Sequence, residues 1–356
     1  MRLIEAIDRS FGAKHDYITS NPIESLELYK TFSKTTPRIK SLSDQLERSS
    51  GLIINGEGTL IFGKSTSRDA LYILFAIALA REINKPVYLL NAMIAPCPYS
   101  GEDTEVVKSA IPLLEYCQTI AVREHQSYEY VSSKIGNSKL RLIPDALFTW
   151  GSRFRNCHRA LQKEWEIGSS YPTHEGFSNI SFNRPYVCIS GSSSAWRYEH
   201  SIQPQFKKLV TSIQNLGYPV FCIETCDGDT FLKEVAIECG ARFIPKHTSV
   251  FAAAGLIGGS IAYITGRYHP SIIASASGVP CIFLSSNSHK TSSIQKLLGY
   301  DEIIEFPICP NDNQISDILE HLEKIAMNRE SMSRSILNNY NNQSDLAMSY
   351  KNIIEQ

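Results

Sequence analysis

Short apolar runs and longer helical patterns alternate along most of this chain. The apolar runs predict strands over 52–55, 87–91, 120–123, 141–144, 186–190, 220–224, 242–245, 262–265, 281–285 and 302–306. Most are continuously apolar, as befits strands buried on both faces of a parallel sheet. Between them, the spacing of apolar positions predicts helices over 68–83, 104–117, 203–216, 231–239 and 271–277. Strand and helix alternating at these lengths define an α/β protein built from βαβ units.

The alternation breaks between about residues 150 and 184, where polar and aromatic residues lead into Gly168-Ser169-Ser170-Tyr171-Pro172 and then Asn183-Arg184-Pro185. It restarts with the run at 186–191. Two doubly wound Rossmann-like domains are therefore expected, an N-terminal one over 1–170 and a second over 184–335, followed by a helical tail over 336–356. Residues 1–50 read as mostly helical, without a strand. A length of 356 residues suits two domains.

Charge and cysteine content narrow the function classes. Thirty-five Lys and Arg balance 36 Asp and Glu, giving a net charge of -1, and no run of five like charges occurs. That balance argues against a nucleic-acid partner, whose phosphates demand a basic excess. It leaves room for a small anion held by a few placed groups. The nine cysteines contain no C-x-x-C pair, so zinc-finger and thioredoxin spacings are absent. No Asp/His cluster with ligand spacing stands out, and no metal or cofactor is expected. The start turns polar too early for a signal peptide, and the most apolar helical stretch, 70–80, is eleven residues long, too short to span a bilayer. The expectation is a cytoplasmic protein without a transmembrane segment, compatible with peripheral membrane association.

The strongest constellation is Ala262-Tyr263-Ile264-Thr265-Gly266-Arg267-Tyr268-His269-Pro270-Ser271. An apolar strand ends in a glycine, and Pro270 is expected to open the next helix, since proline suits a first helical position. Arg267 and His269 would then lie at the carboxyl end of a strand, where open α/β sheets bind ligands. A helix N-terminus attracts anions, and arginine adds a planar fork for carboxylate or phosphate. A histidine beside them can move a proton near neutral pH. The dull reading is a capping histidine and a surface arginine. The next strand end, Ser285-Ser286-Asn287-Ser288-His289-Lys290-Thr291, is rich in donors, and Lys290 could reach the same anion. Ser190-Gly191-Ser192-Ser193-Ser194 follows the first strand of the second half and suits a phosphate or a nucleotide, although an ordinary turn would read the same way.

In the first half, Asn55-Gly56-Glu57-Gly58-Thr59 follows an apolar run, with Glu57 placed as a base or hydroxyl binder. No third glycine completes a dinucleotide fingerprint. The overlapping segment 58–65, with Gly63-Lys64-Ser65, matches the phosphate-binding P-loop pattern. Its Leu60, Ile61 and Phe62 are poor company for a nest of backbone N–H groups. Arg123-Glu124 and Pro144-Asp145 close two further strands.

Taken in order, Asn55-Gly56-Glu57-Gly58-Thr59, Arg123-Glu124, Pro144-Asp145, Gly266-Arg267-Tyr268-His269, Gly278-Val279-Pro280 and Asn287…Lys290 resemble the polysaccharide pyruvyltransferase family. The resemblance implies a two-domain, GT-B-like enzyme with its site in a cleft between α/β halves. Such enzymes transfer the enolpyruvyl unit of phosphoenolpyruvate onto sugar hydroxyls as a ketal, on bacterial surface polysaccharides. It further implies that Arg267 binds the donor and His269 protonates its methylene carbon. Asn287 and Lys290, with Ser190 and Gly191, would help hold the donor. Glu57 would face a glycan or lipid-linked sugar acceptor, with Asn55, Arg123 and Asp145 on the acceptor side. The sequence departs from the family pattern in two places: residues 1–50 supply no opening strand and Asn-x-Gly-Asp-type turn, and Pro270 stands where a small residue is usual. A His-Pro pair at a helix start resembles glycosyltransferases that use CMP-activated nonulosonic or ketodeoxyoctulosonic acids. In that alternative Arg267 and His269 would grip the CMP phosphate, and Glu57 would become the base. An inactive sugar-binding protein on the same fold is a third reading.

Overall fold

The computed structural model describes residues 43–64, 66–166, 184–198 and 201–354. The reading of residues 1–50 as helical falls mostly outside them. The chain forms two compact units, one of the residues up to Asp145 together with Ser349 onward, the other Ala146–Met348. The division thus lies ahead of the expected break, and the C-terminal tail is shared between both units.

The first unit runs β1 (Leu52–Phe62), α1 (Arg68–Glu82), β2 (Val87–Pro96), α2 (Thr104–Tyr116), β3 (Thr119–Val122), α3 (His125–Ile135) and β4 (Leu140–Leu142). The four strands are parallel, in the order β1-β2-β3-β4. Side-chain caps set where the helices begin. Ser67 accepts from the Ala70 amide, Asp103 from those of Glu105 and Val106, and Glu124 from that of Ser127, satisfying amides that have no partner inside their helix. Leu52, Ile54, Leu60 and Phe62 of β1 join Val87, Leu89 and Ile94 of β2 in a core covered by α1, α2 and α3.

β1 is far longer than the apolar run 52–55 suggests. Its pairing with β2 continues from Leu52↔Val87 to Phe62↔Pro96, with a register shift between Glu57 and Leu60. Leu60, Ile61 and Phe62 are therefore strand residues paired with Ile94, Ala95 and Pro96. This overturns the P-loop pattern, because backbone amides committed to a ladder are not free to wrap a phosphate. The expected strand over 302–306 shrinks to a single bridge between Leu284 and Phe306.

The second unit holds α4 (Gly151–Glu166), β5 (Val187–Ser192), α5 (Ile202–Asn215), β6 (Val220–Ile223), α6 (Phe231–Cys239), β7 (Arg242–Ile244), α7 (Val250–Gly259), β8 (Ala262–Gly266), α8 (Tyr268–Ala276), β9 (Cys281–Phe283), α9 (Lys290–Leu297) and the long α10 (Asp312–Ala347). Its strands are all parallel, in the order β7-β6-β5-β8-β9. The continuous apolar runs are explained by burial on both faces. Cys188, Phe221, Tyr263 and Phe283 point into one core with α4, α7 and α8. Val187, Cys222, Ile264 and Ile282 point into the other with α5, α6 and the first half of α10. Connectivity reverses direction between the neighbours β5 and β8. In doubly wound sheets that switch point opens the crevice where ligands bind.

The last helix, α11 (Tyr350–Ile354), belongs to the first unit, where Tyr350 and Ile353 pack on Leu90, Ala121 and Ile143. All nine cysteines are free thiols. Burial pushes Cys117 and Cys222 up to about 12, so they behave as small apolar side chains. Among the described residues, no helix is long and apolar enough to cross a membrane.

Candidate active site

The carboxyl ends of β5, β6, β8 and β9 place four loops at one edge of the second sheet. Gly266 closes β8, Arg267 is the N-cap of α8, and Tyr268 and His269 form its first turn. Helix α8 thus begins two residues ahead of Pro270, which occupies the third position. The ring loses nothing there, because the first four helical amides have no intrahelical acceptor.

Side-chain hydrogen bonds stitch the loops together. Ser192 Oγ donates to the Ser285 carbonyl at 2.5 Å, and Ser194 Oγ donates to the same oxygen at 3.2 Å. Ser193 Oγ donates to Asn287 Oδ1 at 2.9 Å and accepts from the Asn287 amide at 3.0 Å. Lys290 Nζ reaches the same Oδ1 at 3.1 Å. The serine run thus serves as a splice between strand ends. Ser190 lies deeper, with its hydroxyl bonded to Thr265 Oγ1 at 2.7 Å and accepting from Tyr263 OH at 2.8 Å. Thr265 Oγ1 in turn accepts from the Arg267 amide at 3.0 Å. Ser190 is fully buried, so it supports the β8 loop from below. The expectation of direct donor contact by its side chain gives way to that supporting place.

Arg267 is held by a residue the sequence did not single out. Its Nη2 donates to Asp229 Oδ1 at 2.5 Å; the arginine side chain is 15% exposed and the aspartate 0%. Asp229 also accepts from the amide and hydroxyl of Thr225. The carboxylate rests directly on β5: a Cβ at Gly191 would stand 2.1 Å from Asp229 Oδ1. Gly191 is therefore a matter of space, since only a residue without a side chain lets β5 pass this carboxylate. The Arg267 Nε is buried and has no hydrogen-bond partner in this structure. A buried donor left unsatisfied is costly, and here it belongs to a guanidinium at a helix N-terminus, where an anion would complete it.

In the first unit, Arg123 and Asp145 do not present themselves to a ligand. Arg123 Nη1 and Asp145 Oδ2 lie 2.8 Å apart, with side chains 1% and 2% exposed. The expectation that they contact an acceptor is corrected: they neutralise one another inside the fold. Glu124 likewise caps α3, bonding the amide and hydroxyl of Ser127. Asn55 and Glu57 remain at the surface of the unit, where Asn55 Nδ2 donates to Glu57 Oε1 at 3.1 Å. Asn91, also missed from sequence, donates through Nδ2 to Asn55 Oδ1 at 3.0 Å. Only the parallel pairing of β1 with β2 reveals that neighbour.

Two α/β units with parallel Rossmann-like sheets, with Arg267 and the start of α8 at the switch point of the second, give a GT-B-like fold. A family model described as Polysaccharide pyruvyl transferase matches residues 6–288, and the chain belongs to that family. No curated protein matches it. Among solved structures, the UDP-GlcNAc 2-epimerase from Neisseria meningitidis bound to UDP-GlcNAc superposes with a TM-score of 0.63, at 11% identity over 100% of this chain and 89% of that one. A glycosyltransferase from Rickettsia africae ESF-5 gives 0.53, at 10% identity over 99% and 93%. The UDP-N-acetylglucosamine 2-epimerase from Rickettsia bellii gives 0.55, at 9% identity over 99% and 92%. At these identities the likeness establishes the fold.

Proposed function

We propose that this protein transfers the pyruvyl group of phosphoenolpyruvate to a pair of hydroxyls on one sugar of a bacterial surface glycan, forming a ketal. The observation that carries the reading is the buried, unsatisfied Nε of Arg267 at the start of α8, in a chain of this family. The second unit takes the donor. Arg267 and the amides opening α8 hold a carboxylate or phosphate, and Lys290, tied to Asn287, adds a positive charge. Gly191 gives Asp229 the room to hold Arg267. The acceptor falls to the first unit, through Asn55 and Glu57.

His269 is the general acid. Its proton goes to the methylene carbon of the donor and leaves C2 electrophilic. One sugar hydroxyl adds to C2, the bond from C2 to the phosphate oxygen breaks, and the second hydroxyl closes the ketal. Of the two hydroxyl protons, one restores His269 and the other leaves with inorganic phosphate. Glu57 accepts a hydrogen bond from a hydroxyl of the acceptor. Preorganised charge and a placed proton donor are the means by which such a site lowers the barrier.

The test is thermal unfolding with phosphoenolpyruvate, CMP or ATP. A ligand present at about a hundredfold excess over its Kd stabilises by about 2.7 kcal/mol. Phosphoenolpyruvate is expected to raise the Tm by several degrees. Stabilisation by CMP alone would overturn the donor assignment in favour of a CMP-sugar.

The Gly191→Ala variant gives a second check. Its methyl group displaces Asp229 and with it the guanidinium. An ångström of misplacement costs about a hundredfold in rate, so kcat/KM for phosphoenolpyruvate should fall by about that factor. An unchanged kcat/KM would show that the placement of the arginine does not matter to the donor.

A further inference from the structure

The acceptor residues Asn55 and Glu57 sit on an unusual piece of backbone. Glu57 has φ 42° and Asn91 has φ 55°, left-handed values that a residue with a Cβ adopts at a cost. Glu57 lies in β1 and Asn91 in the neighbouring β2, at the place where both strands lose regular pairing. The β1–β2 register shifts between Glu57 and Leu60, and the β2–β3 register shifts between Leu89 and Ala92. The strands press closely here: a Cβ on Gly56 would stand 2.6 Å from that of Ala92. Two adjoining left-handed residues persist only where the surroundings over-determine them.

The surroundings include the far end of the chain. Tyr350, the first residue of α11, donates its hydroxyl to the Ile143 carbonyl at 3.1 Å. Its ring is packed against Leu90, Ala121 and Ile143, and burial raises the phenol above its ordinary range, so it stays a neutral hydrogen-bonding group. From there the contacts run in one direction. Tyr350 packs on Leu90, the residue before Asn91; the Asn91 side-chain amide donates to Asn55 Oδ1 at 3.0 Å, and Asn55 Nδ2 donates to Glu57 Oε1 at 3.1 Å. Each amide in this series has its oxygen and nitrogen assigned by its neighbours.

We infer that Tyr350 and Asn91 are positioning residues for Glu57, and that the returning C-terminal helix is thereby a working part of the acceptor site. The inference rests on the proposed role of Glu57 toward a sugar hydroxyl. The ligand class is a polyol, whose hydroxyls need an acceptor fixed in place. Tyr350 backs the strand segment leading into Asn91 through Leu90 and Ile143; Asn91 and Asn55 then fix the direction of one carboxylate oxygen.

Two variants of the full chain separate side chain from backbone. Tyr350→Phe keeps the packed ring and deletes the hydroxyl. Asn91→Gly keeps the left-handed backbone at no steric cost and deletes the amide. With phosphoenolpyruvate as donor and p-nitrophenyl glycosides of common pyranoses as acceptor probes, phosphate release gives the kinetics. Both variants are expected to raise the acceptor KM about tenfold, with the KM for phosphoenolpyruvate unchanged. Independently of turnover, hydrogen–deuterium exchange in a peptide covering 55–58 should rise about tenfold in Tyr350→Phe, while peptides of the second unit keep their rates. Unchanged exchange at 55–58 in Tyr350→Phe would overturn the inference. So would equal losses of donor and acceptor KM in both variants, which would mark a general structural defect. If the unaltered protein releases no phosphate with any probe, the proposed function loses its support, while the exchange result still decides whether the contacts reach Glu57.

Discussion

Replacing His269 by Ala is expected to cut turnover with phosphoenolpyruvate by about 100- to 10,000-fold, the usual contribution of a placed general acid or base. The fold should survive. His269 lies on the first turn of α8 and is only partly buried, with its ring edge-on to Tyr268 at a centroid distance of 5.6 Å. The residues carrying the helix into the core are Tyr268, Ile272 and Ala276, and none of them changes. The measurement pairs phosphate release with the unfolding midpoint. A kcat near the original value would remove the histidine from the proton transfer. Lost activity together with a lowered midpoint would point to a structural role. His269→Gln refines the comparison, since it keeps a polar group of similar reach without a proton to give near neutral pH.

The largest expected effect on stability lies in the first unit. Removing one partner of a buried ion pair leaves an uncompensated charge and costs about 3–5 kcal/mol. Arg123 and Asp145 are such a pair, 2.8 Å apart and almost wholly enclosed. Either Arg123→Ala or Asp145→Ala should therefore lower the denaturant midpoint strongly. A volume-matched apolar pair, Arg123→Met with Asp145→Leu, is expected to recover most of that loss, because two buried charges are exchanged for packing contacts. Urea unfolding of the two single variants and the double variant decides the matter. A double variant as unstable as the singles would show that the pair's hydrogen bonds, rather than its desolvation, dominate. Activity is a separate readout, and these residues should affect it only through the fraction folded.

The same two residues show why the sequence misleads at this point. Polar residues closing apolar runs look like ligand contacts, because in parallel sheets many of them are. Arg123 and Asp145 are 22 positions apart, and nothing local says that they face one another. Only the pairing of β3 with β4 brings the two strand ends side by side. Ser190 misleads for a related reason. A Ser-Gly turn after a strand suits phosphate, yet its hydroxyl is consumed by Tyr263 and Thr265 of the adjoining strand. In both cases a polar side chain has two possible partners, solvent-borne ligand or distant protein group, and sequence periodicity does not distinguish them.

What the sequence determined by itself is what short-range physics controls. Continuous apolar runs announced parallel strands buried on both faces, and the helices over 68–83, 104–117, 203–216 and 231–239 appear within a residue or so of their expected limits. The segment from Gly266 to His269 marked a strand end running into a helix start, and its order with the other motifs pointed to the family. Burial and helical spacing recur every two to four residues, so they are written locally. The tertiary structure decided everything that depends on distant partners. It paired Asp229 with Arg267 across 38 positions, extended β1 through Phe62 by supplying β2 beside it, and returned Tyr350 to Ile143 across 207 positions. Those contacts are set by strand order and by the path of the chain between the two units, and neither leaves a local trace in the pattern of residues.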